Sequence, residues 1–163
     1  ATPETLGLDR WAKVIAAHQL YRGADCLLID AGTCITYDVL TNANYYGGSI
    51  SLGIQMRFQA LAHFTGRLPL VAWNAEAEIP AGTDTVTAIQ SGVLQGILNE
   101  VEGYIATQYH KNNKVKVLIT GGDALFFVKQ LKANHTAAEI IHEPYLVLKG
   151  LNEVIAFEYV QKN

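Results

Sequence analysis

The stretch "LLIDAGTCITYDVL", Leu27 to Leu40, decides the fold. An apolar run, Leu27-Leu28-Ile29, ends on an acid, Asp30. Three small residues follow, Ala31, Gly32 and Thr33, and then a second β-prone run. The pattern reads as strand, tight turn, strand. Carboxylates rarely close a buried strand without a partner or a task, so Asp30 is the residue to explain. Gly32 lets the backbone approach a ligand closely, and successive N–H groups there can cup an anion. The Thr33 hydroxyl can donate to a phosphate oxygen. Asp30 offers hard oxygens to a cation near those phosphates. An ordinary hairpin with an Asx-type turn uses the same residues, and the tetrapeptide alone favours that plainer reading.

Before this hairpin, "DRWAKVIAAHQLYRG" carries Trp11, Val14, Ile15 and Leu20 at helical spacing and stops at Gly23. After it, "TNANYYGG" reads as a turn, "SISL" as a short strand and "GIQMRFQALAHF" as a helix. "TGRLPLVAWNAEAEIPAG" has weak periodicity, and long irregular segments of this kind are often binding loops. The longest helix is expected from Thr83 to Tyr109, with Val86, Ile89, Val93, Ile97, Val101 and Ile105 on one face. Ala88, Gly92 and Gly96 form a second stripe. Interior glycines are costly in a helix, so the stripe points to a close-packed neighbour, either the sheet or a second subunit. "KVKVLIT" is a strand, "GGDALFFVKQLKA" a glycine turn opening a helix, and the remainder a short strand and a last helix. The order is α, a β-hairpin region, α, α, β, α, β, α: one α/β domain over residues 1–163 with a mixed sheet.

Composition narrows the function classes. Half of the 163 residues are apolar, 17% are charged and the net charge is −3. That supports a sizeable core and weighs against nucleic acid as a partner. No run reaches the roughly 18 apolar residues of a membrane helix. Cys26 and Cys34 fit no zinc or CxxC spacing and sit in apolar strand runs, so both are expected as buried free thiols in a reducing cytoplasm. The five histidines, His18, His63, His110, His135 and His142, show no metal-ligand spacing.

Two further motifs can carry chemistry. In "GLDR", Gly7 to Arg10, Asp9 precedes a helix and is a natural N-cap. That plain reading is strong; the functional one is a general base for phosphoryl transfer, where an Asp accepts the attacking hydroxyl's proton and Arg10 can hold a carboxylate bidentately, and the pair alone is weak evidence for it. In "GTDTVTAIQSG", Thr83 or Asp84 can cap the long helix, which leaves Thr85 spare at an anion-favouring terminus or merely on the surface. "ITGGDA", Ile119 to Ala124, has the outline of a nucleotide turn without a GxGxxG or P-loop sequence. Gly121 and Gly122 would admit a flat ligand, and Asp123 reads equally as a plain N-cap.

Seven motifs stand in one order: GxDR at 7–10, DAGTxxTYD at 30–38, GGxIxxG followed by Ala60-Leu61, TxRLP at 65–69, TxxAIxSGxxxG at 85–96, TGGDA at 120–124 and LVLKGL at 146–151. This series resembles the type III pantothenate kinases of the actin/hexokinase/Hsp70-like ATPase superfamily, and it covers most of the chain. The resemblance implies a ribonuclease H-like half-domain and the reaction of ATP with pantothenate to give ADP and 4′-phosphopantothenate, the opening step of coenzyme A synthesis. It implies Asp9 as catalytic base. Gly7, Leu8, Asp9, Arg10 and Thr85 would form the pantothenate site. Thr33 would meet ATP phosphate, and Asp30 would bind a monovalent cation, K⁺ or NH₄⁺. It also implies Mg²⁺ with ATP and a homodimer with the substrate site near the subunit interface.

The family carries an additional N-terminal segment with a DxGNT phosphate hairpin, and no DxGNT occurs here. The chain is therefore expected to be the C-terminal portion of a longer kinase, supplying one of two phosphate hairpins and inactive alone. Leu8 stands where the family often has a small residue. Two other readings share the fold: a regulatory protein of the transcriptional-activator type, and another small-molecule kinase of the superfamily.

Overall fold

The computed structural model describes residues 6–134 and 137–161. His135 lies outside them. Five strands and five helices follow in the expected order. They are α1 (Leu8–Leu20), β1 (Cys26–Ala31), β2 (Cys34–Thr41), β3 (Asn44–Leu52), α2 (Ile54–Phe64), α3 (Thr85–Lys111), β4 (Lys116–Thr120), α4 (Ala124–Ala133), β5 (Glu139–His142) and α5 (Leu146–Gln161).

The sheet order is β3-β2-β1-β4-β5. β1, β2 and β3 form an antiparallel meander, while β4 and β5 join β1 in parallel through helical crossovers. The third strand is longer than the sequence indicates. "SISL" is only its end, because the turn closes within Asn42 and Ala43, both at positive φ (49° and 60°). Two-residue turns of that hand match the twist of a hairpin, so pairing resumes at Asn44.

Alternation along β1 sorts its side chains between two helical layers. Leu27, Ile29 and Ala31 face the larger core with Ile35, Tyr37 and the α3 stripe Ile89, Val93, Ile97, Val101 and Ile105. Each such buried side chain contributes roughly 1.5–3 kcal/mol of transfer free energy. Val86 is exposed and does not belong to the stripe. Cys26 and Leu28 face the smaller core with Val14, Ala16, Ala17 and Leu146, beneath α1 and α5.

Helix α1 meets this smaller core through Val14 and alanines rather than through Trp11 and Leu20. Trp11 and Leu20 are partly exposed, and Ala12, Ala16 and Ala17 are buried. The cause lies in LVLKGL: Gly150 of α5 crosses so close that a Cβ there would overlap the Ala12 backbone. The small residues Gly92 and Gly96 of α3 behave differently. They are exposed with open space around them, so the sheet is not the neighbour they accommodate. Cys26 is buried, but Cys34 is exposed at the hairpin end, a departure from the pair of buried thiols expected.

Candidate functional site

Even-numbered residues of β1 and β2 point at α1, and this parity builds the site. Asp30 lies on that face and pairs across the ladder with Thr36; Asp38 follows two residues later. On α1, Arg10 and Lys13 are three residues apart and so share a face. Lys13 is fully buried, and its Nζ donates to Asp30 Oδ2 at 2.7 Å and Thr36 Oγ1 at 3.0 Å. Arg10 donates to Asp38 Oδ1 through Nε at 2.9 Å and Nη2 at 2.5 Å, and Nη2 also reaches Tyr45 Oη at 3.1 Å. Asp38 is completely buried. Its Oδ2 has no partner among the described residues.

Electrostatics follow from this packing. The bond to Asp38 holds the Arg10 guanidinium above its ordinary range. Burial, and then the bond to Asp38, pushes the Tyr45 phenol up to about 12, so it remains a donor at neutral pH. Burying an ammonium such as Lys13 costs several kcal/mol unless it is paired and hydrogen-bonded, which Asp30 and Thr36 provide.

One side chain of α1 and the N-termini of α2 and α4 meet at the carboxyl end of β1. Helix α1 delivers Lys13 to Asp30. Helix α2 starts at Gly53, whose N–H donates to the Thr33 carbonyl at 3.1 Å. Helix α4 starts beyond Gly121, and the Asp123 N–H donates to the Ala31 carbonyl at 2.9 Å. Gly121 has φ +98°, and a Cβ there would overlap the Ala31 carbonyl oxygen and crowd the Asp30 carboxylate. Gly122 beside it faces open space. Helix N-termini and free N–H groups favour anions, so this end of the sheet suits phosphate. Thr33 is exposed at the hairpin tip, and its hydroxyl bonds to none of the described residues.

Asp9 is not the N-cap of α1. That position belongs to Gly7, and Asp9 lies in the first turn, exposed, with Oδ1 folded back toward Gly7. It precedes Lys13 by four residues, one turn or about 6 Å further along the same face. Leu8 is exposed beside it. Asp123 stands at the N-cap position of α4 but makes no side-chain cap bond, and burial raises its carboxyl above the ordinary range.

The structure brings Asp30, Thr33 and the 121–123 turn to the carboxyl end of β1 and sets Arg10 on Asp38 in mid-strand, with Asp9 beside it on α1. Thr85 belongs to α3, which packs on the opposite face of the sheet. Asp84 caps α3 through a capping box with Thr87, which leaves Thr85 exposed in the first turn. Glu100 of α3 accepts a bond from Tyr37 in mid-sheet, and Thr85 lies fifteen residues earlier, about 22 Å along the helix.

The described residues hold no cluster of three His, Cys, Asp or Glu side chains arranged for a metal ion. Asp30 does not fit a free monovalent cation either. One of its oxygens already carries the Lys13 ammonium, and a second unit charge about 4 Å from it would cost roughly 4 kcal/mol at an effective dielectric near 20. The sequence reading missed Lys13, Thr36, Asp38 and Tyr45. The available signal was strand parity, which puts three polar residues on the face that meets α1, with a lysine and an arginine one turn apart to receive them.

Comparison with known proteins agrees with the motif series. The family model described as type III pantothenate kinase matches residues 1–107. The type III pantothenate kinase of Bacteroides fragilis is 50% identical over 158 residues, covering 96% of this chain and 62% of that protein. That of Phocaeicola vulgatus is 45% identical with the same coverage. The chain thus spans about 62% of the length of the curated relatives it matches. Among solved structures, a Campylobacter jejuni protein assigned by name to the Baf family of transcriptional activators superposes with a TM-score of 0.66 at 27% identity, covering 97% of this chain and 67% of its own. A 2-dehydro-3-deoxygalactonokinase candidate from Sinorhizobium meliloti has a TM-score of 0.58 at 14% identity over 87% of this chain and 57% of its own, a likeness of fold alone. The mixed five-stranded sheet with helices on both faces is the actin/hexokinase-like ATPase fold, and the chain belongs to the type III pantothenate kinase family.

Proposed function

We propose that the intact protein transfers the γ-phosphoryl group of ATP to the primary hydroxyl of pantothenate, giving ADP and 4′-phosphopantothenate, the first step of coenzyme A biosynthesis. The observation that carries this reading is the exposed Asp9 carboxylate, one turn before Lys13 on the helix whose lysine holds Asp30 at the phosphate-favouring end of the sheet. Kinase names among the relatives support it, and neither the activator reading nor another kinase substrate draws comparable support.

Phosphoryl transfer asks a protein chiefly for positioning and charge. Asp9 takes the hydroxyl proton as the hydroxyl oxygen attacks phosphorus in line and the bond to the ADP oxygen breaks. Arg10, fixed by Asp38, is placed to receive the pantothenate carboxylate. Gly7 and Leu8 complete that wall. Thr33 and the backbone around Gly121 and Gly122 contact the phosphates of ATP. Mg²⁺ would enter with ATP and offset the charge of its phosphates.

The same reading includes a cytoplasmic homodimer. Thr85 lies on α3, across the sheet from α1 and Asp9, and the exposed Ala88, Gly92 and Gly96 beside it leave room for a second backbone. A partner copy would bring Thr85 to the pantothenate. Among the described residues no helix is long and apolar enough to cross a membrane.

The test is a coupled ADP-release assay on the full-length protein with a panel of pantothenate, sugars and acetate. ADP release with pantothenate alone supports the proposal. Release with another acceptor, or with none, overturns it.

A further inference from the structure

The Lys13 ammonium is buried at the phosphate end of the sheet, yet the reaction derived above gives it no role. It is 2.7 Å from Asp30 and 3.0 Å from Thr36, an anionic and a neutral oxygen arranged around one positive charge. Oxygen ligands of this kind surround bound alkali or ammonium ions, and an alkylammonium differs from NH₄⁺ only in its tether. The other Asp30 oxygen faces Gly121, whose turn adjoins the open space at Gly122. The charge therefore sits beside the surface where phosphates are expected, and it is delivered by the helix that carries Asp9 four residues earlier.

We propose that Lys13 is a built-in monovalent cation: its ammonium occupies the place beside Asp30 that a free K⁺ or NH₄⁺ would otherwise take, so the enzyme needs neither ion. This inference rests on the kinase reading of the site. Lys13 is a positioning residue. It touches no substrate, but fixes Asp30 and the ends of β1 and β2 under the phosphates, and its charge offsets theirs. A tethered ion is present at every turnover and cannot be exchanged for Na⁺. A free ion beside it would meet like charge.

The test compares the full-length protein in NaCl, KCl and NH₄Cl at equal ionic strength. Wild-type kinase rate and melting temperature are expected to be the same in all three. Lys13→Ala opens a space the size of the lost side chain. Its rate in NaCl should fall on the order of 10²-fold, the scale of losing one group that stabilises transition-state charge. NH₄⁺ or K⁺ should restore part of that loss and raise the melting temperature of the variant above its value in Na⁺. Lys13→Gln fills the space without charge and should be equally slow but not rescued. A wild-type rate that rises severalfold with K⁺, or a Lys13→Ala protein indifferent to NH₄⁺ and K⁺ in both readouts, overturns the proposal. The wild-type comparison needs no variant to fold. If no salt supports pantothenate phosphorylation, the kinase reading fails by itself, and the melting temperatures still decide whether Lys13 stands in for a cation.

Discussion

Arg10 and Asp38 clasp each other between the first turn of α1 and the middle of β2, with Nε and Nη2 both on the same buried oxygen. The guanidinium is thereby fixed while its Nη1 makes no bond to the described residues, which leaves donors for a substrate carboxylate. Asp38→Asn keeps the shape and removes the charge. Breaking one side of a buried pair costs about 3 kcal/mol or more. Urea unfolding should show that loss, and the KM for pantothenate should rise more than kcat falls. Unchanged stability and KM would remove Asp38 from this role.

Gly121 and Gly122 are neighbours with different tasks. At Gly121 the positive φ and the adjoining Ala31 carbonyl exclude a side chain, so Gly121→Ala should lower the melting temperature and displace Asp30. Gly122 has open space, so Gly122→Ala should melt normally. If phosphates approach there, it should still weaken ATP binding in calorimetry. Normal ATP affinity in Gly122→Ala would place the nucleotide elsewhere.

Asp84 and Thr85 separate stability from binding. The capping bonds from the Thr87 and Val86 N–H groups hold the Asp84 carboxyl below its ordinary range. A depressed carboxyl stabilises the fold above its unfolded pKa, and that contribution is lost as pH falls through the folded one. The difference in melting temperature between wild type and Asp84→Ala should therefore be full at neutral pH and shrink below about pH 4. Thr85→Ala should leave melting unchanged and raise the KM for pantothenate.

The two thiols should react very differently. Burial pushes Cys26 up to about 11, while Cys34 is exposed at the hairpin end. Iodoacetamide at pH 8 should label Cys34 in the native protein and reach Cys26 only after unfolding, as read by peptide mass spectrometry. Rapid native labelling of Cys26 would contradict the packing of the smaller core.

The element order and the sheet type were legible in the sequence because apolar alternation and helical spacing are local signals. Strand ends were harder. "TNANYYGG" looked like turn throughout, but the positive φ of Asn42 and Ala43 completes the reversal in two residues and frees Tyr45 to meet Arg10 and Asp38. The motif order pointed to Asp9, Arg10, Asp30 and Thr33. Their partners were not legible, because Lys13 looks like a solvent-facing residue of an amphipathic helix until α5 and the sheet cover it. Asp30, read as a carboxylate awaiting a cation, has one within the chain. The exposure of Gly92 and Gly96 was also beyond the sequence, since a glycine stripe reads the same whether it meets the sheet or faces outward.

The most direct test of the central claim is formation of 4′-phosphopantothenate by the full-length protein and by Asp9→Asn, measured by mass spectrometry with ATP and Mg²⁺. The wild type should make the product. Asp9→Asn should bind pantothenate and ATP as before and turn over about 10²–10⁴-fold more slowly, the scale of a lost general base. Wild-type protein that makes no phosphopantothenate, or an Asp9→Asn variant that makes it at a near-normal rate, would contradict the account.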